Sequence, residues 1–235
     1  MPFLHISRSR NKITCIRTTL CEVIRMEFDR QDILDKAAEA YNHAENTIRA
    51  MDQVFQNVTG RGYDAELTLA QFDMILQGVL LSVACADGIF DPVEQDFVRQ
   101  FAMHGDLLQY IEEVSGGEIA LSWDIIAALP EDIIAKMLQV LPGILDEQCE
   151  SFVYPLAAVD FSYSQVGNVV TTPGDFLKSI EIDMIKIAGL LAFVDSEGTD
   201  EEINAAVSMI YELEGKHWRD LLSGRSLGPG QEINP

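Results

Sequence analysis

Positively charged side chains are scarce in this chain. Its 235 residues include 16 lysines and arginines against 38 aspartates and glutamates, which gives a formal charge of -22 at pH 7. Nucleic acid is not expected as a partner, because nothing in the acidic body could neutralise a run of phosphates. Anionic membrane surfaces are disfavoured for the same reason. The carboxylates suit a hard cation or a basic protein partner, and they also suit solubility alone.

The four cysteines contain no C-x-x-C pair and no regular spacing. Neither a disulfide framework nor a zinc site is therefore predicted. Cys85 and Cys149 stand in apolar helical contexts and are predicted to be core thiols, in keeping with a reducing cytoplasm as the location. No apolar run approaches the roughly 20 residues that a membrane-spanning helix needs, which argues against direct membrane insertion.

Alternating strand patterns and catalytic motifs are also missing. The apolar residues recur at helical spacing, so the predicted fold class is all-α. Within it we expect a helical bundle of two pseudo-repeated helix-turn-helix halves with a long N-terminal amphipathic helix. The chain has no G-x-S-x-G, no Walker lysine and no H-E-x-x-H, and its histidines stand singly. An enzyme is therefore not predicted.

Residues 1–25 differ in charge from the rest of the chain. They contain one acid, Glu22, and five basic residues, which leaves the remainder at -26. We expect a disordered extension or a misassigned upstream start, with Met26 as the true first residue, ahead of a targeting peptide. The five basic residues are Arg8, Arg10, Lys12, Arg17 and Arg25.

Residues 26–60 are predicted to form one long amphipathic helix that ends at Thr59-Gly60. Apolar positions keep heptad spacing along it. The pattern leaves two alternatives open, packing along the rest of the domain and a homodimer through residues 34–58. We call these apolar positions the seam of the helix, and they are Leu34, Ala37, Tyr41, Ala44, Ile48, Met51, Phe55 and Val58.

Residues 61–223 are predicted to form the main helical domain, followed by a flexible tail at 224–235. Two stretches in this domain match at an offset of 108 positions, and each predicts a helix with one buried stripe. The offset also places Asp195 on Asp87 and Glu202 on Glu94. The paired stripes are Leu69, Phe72, Leu76, Val79, Val83 and Ala86, and Leu177, Ile180, Met184, Ile187, Leu191 and Val194.

Other helix boundaries follow from caps and prolines. The helix after the first acidic turn is predicted from Pro92 to about Met103, and Asp106 is predicted to cap the next one. Pro130 and Pro142 are predicted to bound a helix from Glu131 to Leu141. Residues 162–171 are predicted to be a surface loop, and the last helix is predicted over residues 200–222.

Each matched stretch runs into an acidic turn. Asp91 to Glu94 and Thr199 to Glu202 have the form of capping boxes, which alone could explain those residues. Asp87 and Asp195 end their helices, where the helix dipole disfavours a carboxylate. A bound divalent cation, Ca²⁺ or Mg²⁺/Mn²⁺, would give a reason for that placement. The candidate ligands are Asp87, Asp91 and Glu94 in the first turn and Asp195, Asp200 and Glu202 in the second.

Residues 83–94 resemble the A-x-A-D-G-x-x-x-x-x-E signature of the TerB-like family of tellurite-resistance helical domains. The resemblance covers roughly residues 65–215, and the second turn departs from it with Asp-Ser-Glu-Gly in place of Asp-Gly. It implies an all-α fold of two pseudo-repeated halves. It also implies a module that binds or senses divalent metal in a stress response. The alternative that the residues leave open is a metal-free acidic scaffold that binds a partner protein, which is expected to be basic.

Overall fold

A computed structural model describes residues 29–60, 62–117, 120–149, 151–152, 174–194, 202 and 204–205. Within these ranges every regular element is a helix, so the described part of the chain is all-α. The helices are α1 (Arg30–Thr59), α2 (Ala65–Ala84), α3 (Pro92–Arg99), α4 (Leu107–Val114), α5 (Trp123–Ala127), α6 (Glu131–Ile144) and α7 (Gly174–Leu191). Residues 146–149, 151–152, 202 and 204–205 are also helical.

Helix α1 ends where its sequence predicts, and its first residue is Arg30 rather than Met26, because Asp29 caps it. The Asp29 side chain accepts a hydrogen bond from the Asp32 backbone N–H, and Gly60 closes the helix in the left-handed region at φ 67°. Glycine adopts that conformation without the steric cost of a Cβ. The middle of the α1 seam is buried inside this chain, because α1 packs along α7 and also contacts α2. The fully buried seam residues are Ala37, Tyr41, Ala44, Ile48 and Met51.

Helix α2 is the central helix, with contacts to α1, α3, α4, α6 and α7. The sequence predicts one buried stripe on it, but the structure buries α2 on nearly all sides. The packing is close at Gly78, where an added Cβ would lie 2.4 Å from Cδ1 of Leu145. Eleven of the twelve paired stripe positions on α2 and α7 are buried, and Ala86 is half-buried.

The expectation that no segment is long and apolar enough to span a membrane is wrong for α2. By length and composition alone, this one helix of the described residues could do so. In this structure 89% of the most apolar 18-residue stretch of α2 is buried within the protein. Central helices of water-soluble domains can be equally long and apolar, so the finding is weak evidence for a membrane span.

Two predicted boundaries are also corrected. Helix α3 ends at Arg99 rather than near Met103, because Phe101 turns inward and packs on Tyr41 and Phe97, with ring centroids 5.5 and 5.4 Å apart. Helix α6 continues through Pro142 to Ile144. Proline removes one helical N–H but does not prevent the next turn, where the Leu145 N–H donates to the Leu141 carbonyl at 3.1 Å.

The remaining predictions divide between confirmed elements and residues that the structure does not describe. Asp106 caps α4 by accepting from the backbone N–H groups of Leu108 and Gln109, as predicted. Helix α7 (Gly174–Leu191) is the helix predicted from the second of the two matched stretches. Residues 1–25, the 162–171 loop, most of the 200–222 helix and the 224–235 tail lie outside the described residues.

Candidate functional site

The first acidic turn follows directly from the end of α2. The helix ends at Ala84, and Gly88 makes the turn with φ 87°. The Ile89 backbone N–H donates to Oδ1 of Asp87 at 2.8 Å, which is the local turn that aspartate favours. The Asp87 side chain is on the exposed side of the turn. This hydrogen bond thus offsets part of the unfavourable interaction between the Asp87 carboxylate and the C-terminal end of the α2 dipole.

Asp91 begins α3 through the capping box that the sequence predicts. Its Oδ1 accepts from the backbone N–H groups of Val93 at 2.6 Å and Glu94 at 3.0 Å. Glu94 completes the box, because its Oε2 accepts from the Asp91 N–H at 3.0 Å. Pro92 occupies the first helical position, where a missing N–H costs nothing. Each of these carboxylates uses one oxygen in these bonds.

Glu94 is buried, with 4% of its surface exposed. Burial raises the pKa of its carboxyl group to about 9, and the nearby charges of Asp91, Glu202 and Asp87 act in the same direction. The hydrogen bond from the Asp91 N–H opposes this shift. Glu202, from the second acidic turn, is itself 4% exposed. Two glutamates separated by 108 positions are therefore both buried, and the charge of one acts on the other.

Aromatic and polar contacts hold the acidic turn in place. Phe90 is buried and meets Trp123 edge-on with ring centroids 6.1 Å apart. Its backbone carbonyl accepts a hydrogen bond from Nε2 of Gln95 at 3.0 Å. The stem of Glu131, at the start of α6, lies against Gly88, so an added Cβ there would be 2.9 Å from Cγ of Glu131. The turn is therefore a packed part of the fold.

The six predicted metal ligands divide into three groups. Asp87, Asp91 and Glu94 lie in one turn, and the charge of Glu202 reaches Glu94. Asp195 and Asp200 lie outside the described residues. Within the described ranges, no group of three or more His, Cys, Asp or Glu side chains is arranged to hold a metal ion. The described carboxylates mainly cap backbone N–H groups in the geometry shown.

Both described cysteines, Cys85 and Cys149, are buried, as their sequence context predicts. Cys85 lies at the C-cap of α2, directly before the acidic turn. Burial raises the pKa of its thiol to about 12, with smaller contributions from Glu94 and Asp87. Because the thiolate is the reactive form, this cysteine is a packing residue with little nucleophilic character.

A buried polar pair on α2, Asp73 and Gln77, is absent from the sequence-based prediction. Oδ1 of Asp73 accepts from the Tyr41 hydroxyl at 2.6 Å, and its Oδ2 accepts from the backbone N–H groups of His104 and Gly105 at 2.6 and 3.2 Å. Gln77 donates to the carbonyl of Gly105 at 2.7 Å and accepts from the Leu107 N–H at 3.1 Å. The only sequence signal is two polar residues four positions apart in an apolar helix.

This pair fixes the loop between α3 and α4 rather than forming a reactive site. Burial raises the pKa of the Asp73 carboxyl, and its three hydrogen bonds oppose that rise. Burial also raises the pKa of Tyr41, with the Asp73 hydrogen bond in the same direction. A tyrosine with a raised pKa keeps its proton and serves as a donor, so this contact is structural.

Comparison of the chain with protein families, with curated proteins and with solved structures gives no match. The resemblance of residues 83–94 to the TerB-like signature therefore stays a prediction.

Proposed function

We propose that this protein is a non-enzymatic TerB-like helical domain that binds a divalent cation between its two acidic turns. The supporting observation is the burial of Glu94 and Glu202, both 4% exposed, with the charge of Glu202 contributing to the raised pKa of Glu94. Two buried carboxylates whose charges interact repel each other unless a proton or a cation lies with them. The raised pKa of Glu94 reflects the cost of burying a negative charge, and a bound proton or a bound cation would relieve that cost.

The chemistry of the two turns favours a hard cation. The named hydrogen bonds of Asp87, Asp91 and Glu94 use one oxygen of each side chain. Carboxylate and backbone carbonyl oxygens are the ligands that Ca²⁺ takes in flexible geometry and Mg²⁺ in a stricter octahedron. Asp195, Asp200 and Glu202 would contribute from the second turn. Calcium, magnesium and manganese are thus the candidate ions.

The pseudo-repeat gives this proposal a structural rationale. In a fold of two matched helix-turn-helix halves, equivalent turns come together when the halves pack face to face. The contact of α2 with α7 and the burial of eleven paired positions support such an arrangement. The family resemblance adds the expectation of a stress response to tellurite or metal in the cytoplasm. That physiological role rests on the resemblance alone.

A metal-free acidic scaffold for a basic partner protein is the second candidate. It is favoured by the cap geometry of Asp87, Asp91 and Glu94, which accounts for their positions without a cation. Ile89 in the same turn is 64% exposed, so an apolar side chain lies beside acidic ones at the surface. Such a mixture is typical of sites that bind amphipathic basic segments.

Calorimetric titration with Ca²⁺, Mg²⁺, Mn²⁺ and Zn²⁺ separates the two candidates. The wild-type protein should bind one of these ions, and the double variant Glu94→Gln/Glu202→Gln should lose that binding while it stays folded. Glutamine keeps the shape and the capping acceptor but removes the charge. The matched control is Glu112→Gln/Glu113→Gln on the exposed face of α4. Absence of heat for all four ions would reject cation binding and favour the scaffold.

A further inference from the structure

A buried carboxylate on α7 orients an exposed histidine in the middle of α1. Nδ1 of His43 lies 2.5 Å from Oδ2 of Asp183. The histidine side chain is 61% exposed, whereas the aspartate side chain is 3% exposed. The two helices pack along each other at this point, so the ring stands on a rigid element. Neither residue belongs to either acidic turn.

The hydrogen bond decides which nitrogen of His43 carries the proton. An ionised carboxylate can only accept, so Nδ1 is the donor and the neutral ring has its lone pair on Nε2. Nδ1 is occupied by a buried partner, so Nε2 is the ring nitrogen of this largely exposed side chain that is left for a reagent. This is the arrangement in which a carboxylate fixes an imidazole for chemistry at its other nitrogen.

A cation accompanies this pair. Nζ of Lys186 lies 3.5 Å from Oδ1 of Asp183, and its side chain is 46% exposed. The ammonium group and the His43 ring thus contact the two oxygens of the same carboxylate. The His43–Asp183 pair therefore has a positive charge beside it. The three side chains together combine a nucleophilic nitrogen, a carboxylate behind it and an ammonium beside it.

We propose that His43 is a phosphoryl-acceptor site, modified at Nε2 by a donor with a labile P–N or acyl-phosphate bond. The Nε2 lone pair attacks phosphorus, the N–P bond forms, and the bond from phosphorus to the leaving group breaks. With phosphoramidate as donor, ammonia leaves. The ring becomes a phosphoimidazolium that keeps its Nδ1 proton, and the carboxylate of Asp183 stabilises that positive charge. Asp183 is therefore a positioning residue.

His104 offers an internal comparison. Its side chain is only 19% exposed, and it lies between Glu45 and Glu66 with nitrogen-oxygen distances of 3.6 and 3.7 Å. Its Nε2 is buried and has no hydrogen-bond partner among the described residues. Access of a phosphoryl donor to that nitrogen is blocked, and two acids face it. Exposure and orientation thus separate His43 from His104, although both are single histidines of the helical body.

The experiment uses the full chain and potassium phosphoramidate, which transfers phosphoryl groups to imidazole without an enzyme. The readouts are the rate at which intact mass increases by one phosphoryl group, the site by peptide mapping, and loss of the group in acid but not in alkali. Wild type is compared with His43→Gln, Asp183→Asn, Lys186→Gln and the control His104→Gln. Thermal unfolding of each variant shows whether it is folded.

The native wild type should be modified at His43 faster than the same protein unfolded in urea, and His43→Gln should lose that modification. Asp183→Asn should slow it by about tenfold, which corresponds to losing about 1.4 kcal/mol of stabilisation of the imidazolium. His104→Gln should have no effect. If His43 is modified at the same rate in native and unfolded protein, the fold does not activate this histidine. The proposal then fails, whether or not the Asp183 variant folds.

Discussion

Glu94 and Glu202, which the sequence pairs at an offset of 108 positions, are both almost fully buried, and the charge of Glu202 acts on the Glu94 carboxyl group. Burial raises the pKa of Glu94 to about 9 from an ordinary value of 4.5, with help from the charges of Asp91, Glu202 and Asp87. A carboxyl group with a raised folded-state pKa binds its proton more tightly in the native state. In the absence of cations, its contribution to stability is complete below about pH 4.5 and is lost as pH rises to about 9.

The first prediction concerns this pH range. In chelator-treated buffer, Glu94→Gln should gain stability relative to the wild type as pH rises from 5 to 9, by at most about 1.4 kcal/mol per pH unit. Urea unfolding at a series of pH values measures the difference. Glu112→Gln, an exposed control on α4, should show no such trend. A difference between wild type and Glu94→Gln that stays constant with pH would contradict the raised pKa.

The second prediction tests the bond between α1 and α2. Tyr41→Phe removes the only hydroxyl that donates to Oδ1 of Asp73 among the described residues, and it leaves a buried carboxylate oxygen without that partner. The free energy of unfolding should fall by about 1–3 kcal/mol. Tyr63→Phe is the matched control, because the Tyr63 hydroxyl is buried and, among the described residues, donates to no carboxylate. Denaturant unfolding should show that this control is neutral or slightly stabilising.

The third prediction concerns the approach of the loop after α3 to α2. An added Cβ at Gly105 would lie 2.2 Å from the backbone carbonyl oxygen of Ala70, which cannot move independently of its helix. Gly105→Ala should therefore destabilise the protein by about 1–3 kcal/mol, because the loop backbone must move away from α2. Gly143→Ala has no atom within 4 Å of its new Cβ. It lies near the end of α6 and should stabilise the protein by up to about 1 kcal/mol. Equal melting temperatures for the two variants would argue against the close approach.

Local signals in the sequence account for much of the fold. Asp29 and Gly60 define α1, and Asp106 begins α4, because caps act within a few residues of the helix end. The capping box from Asp91 to Glu94 is equally local. These elements follow from hydrogen bonds between near neighbours in the chain, so a single sequence is enough to predict them.

Features that depend on distant residues could not be predicted in this way. Helix α3 stops at Arg99 because Phe101 packs on Tyr41, 60 positions earlier in the chain, and Asp73 binds the backbone beyond it. The complete burial of α2 likewise depends on the five helices around it. For the candidate site, the sequence identifies Glu94 as a capping residue, but its burial and the effect of the Glu202 charge on it follow only from tertiary packing.

The most direct test of cation binding is the melting temperature of the full chain with and without millimolar Ca²⁺, Mg²⁺ or Mn²⁺. Binding stabilises the native state by RT ln(1 + [L]/Kd), about 2.7 kcal/mol at a hundredfold excess over Kd. We expect a rise in the wild type that Asp87→Asn and Asp195→Asn each reduce, although asparagine retains the turn preference of aspartate. A wild-type melting temperature that neither divalent cations nor a chelator change would contradict the account and leave the acidic turns as helix caps.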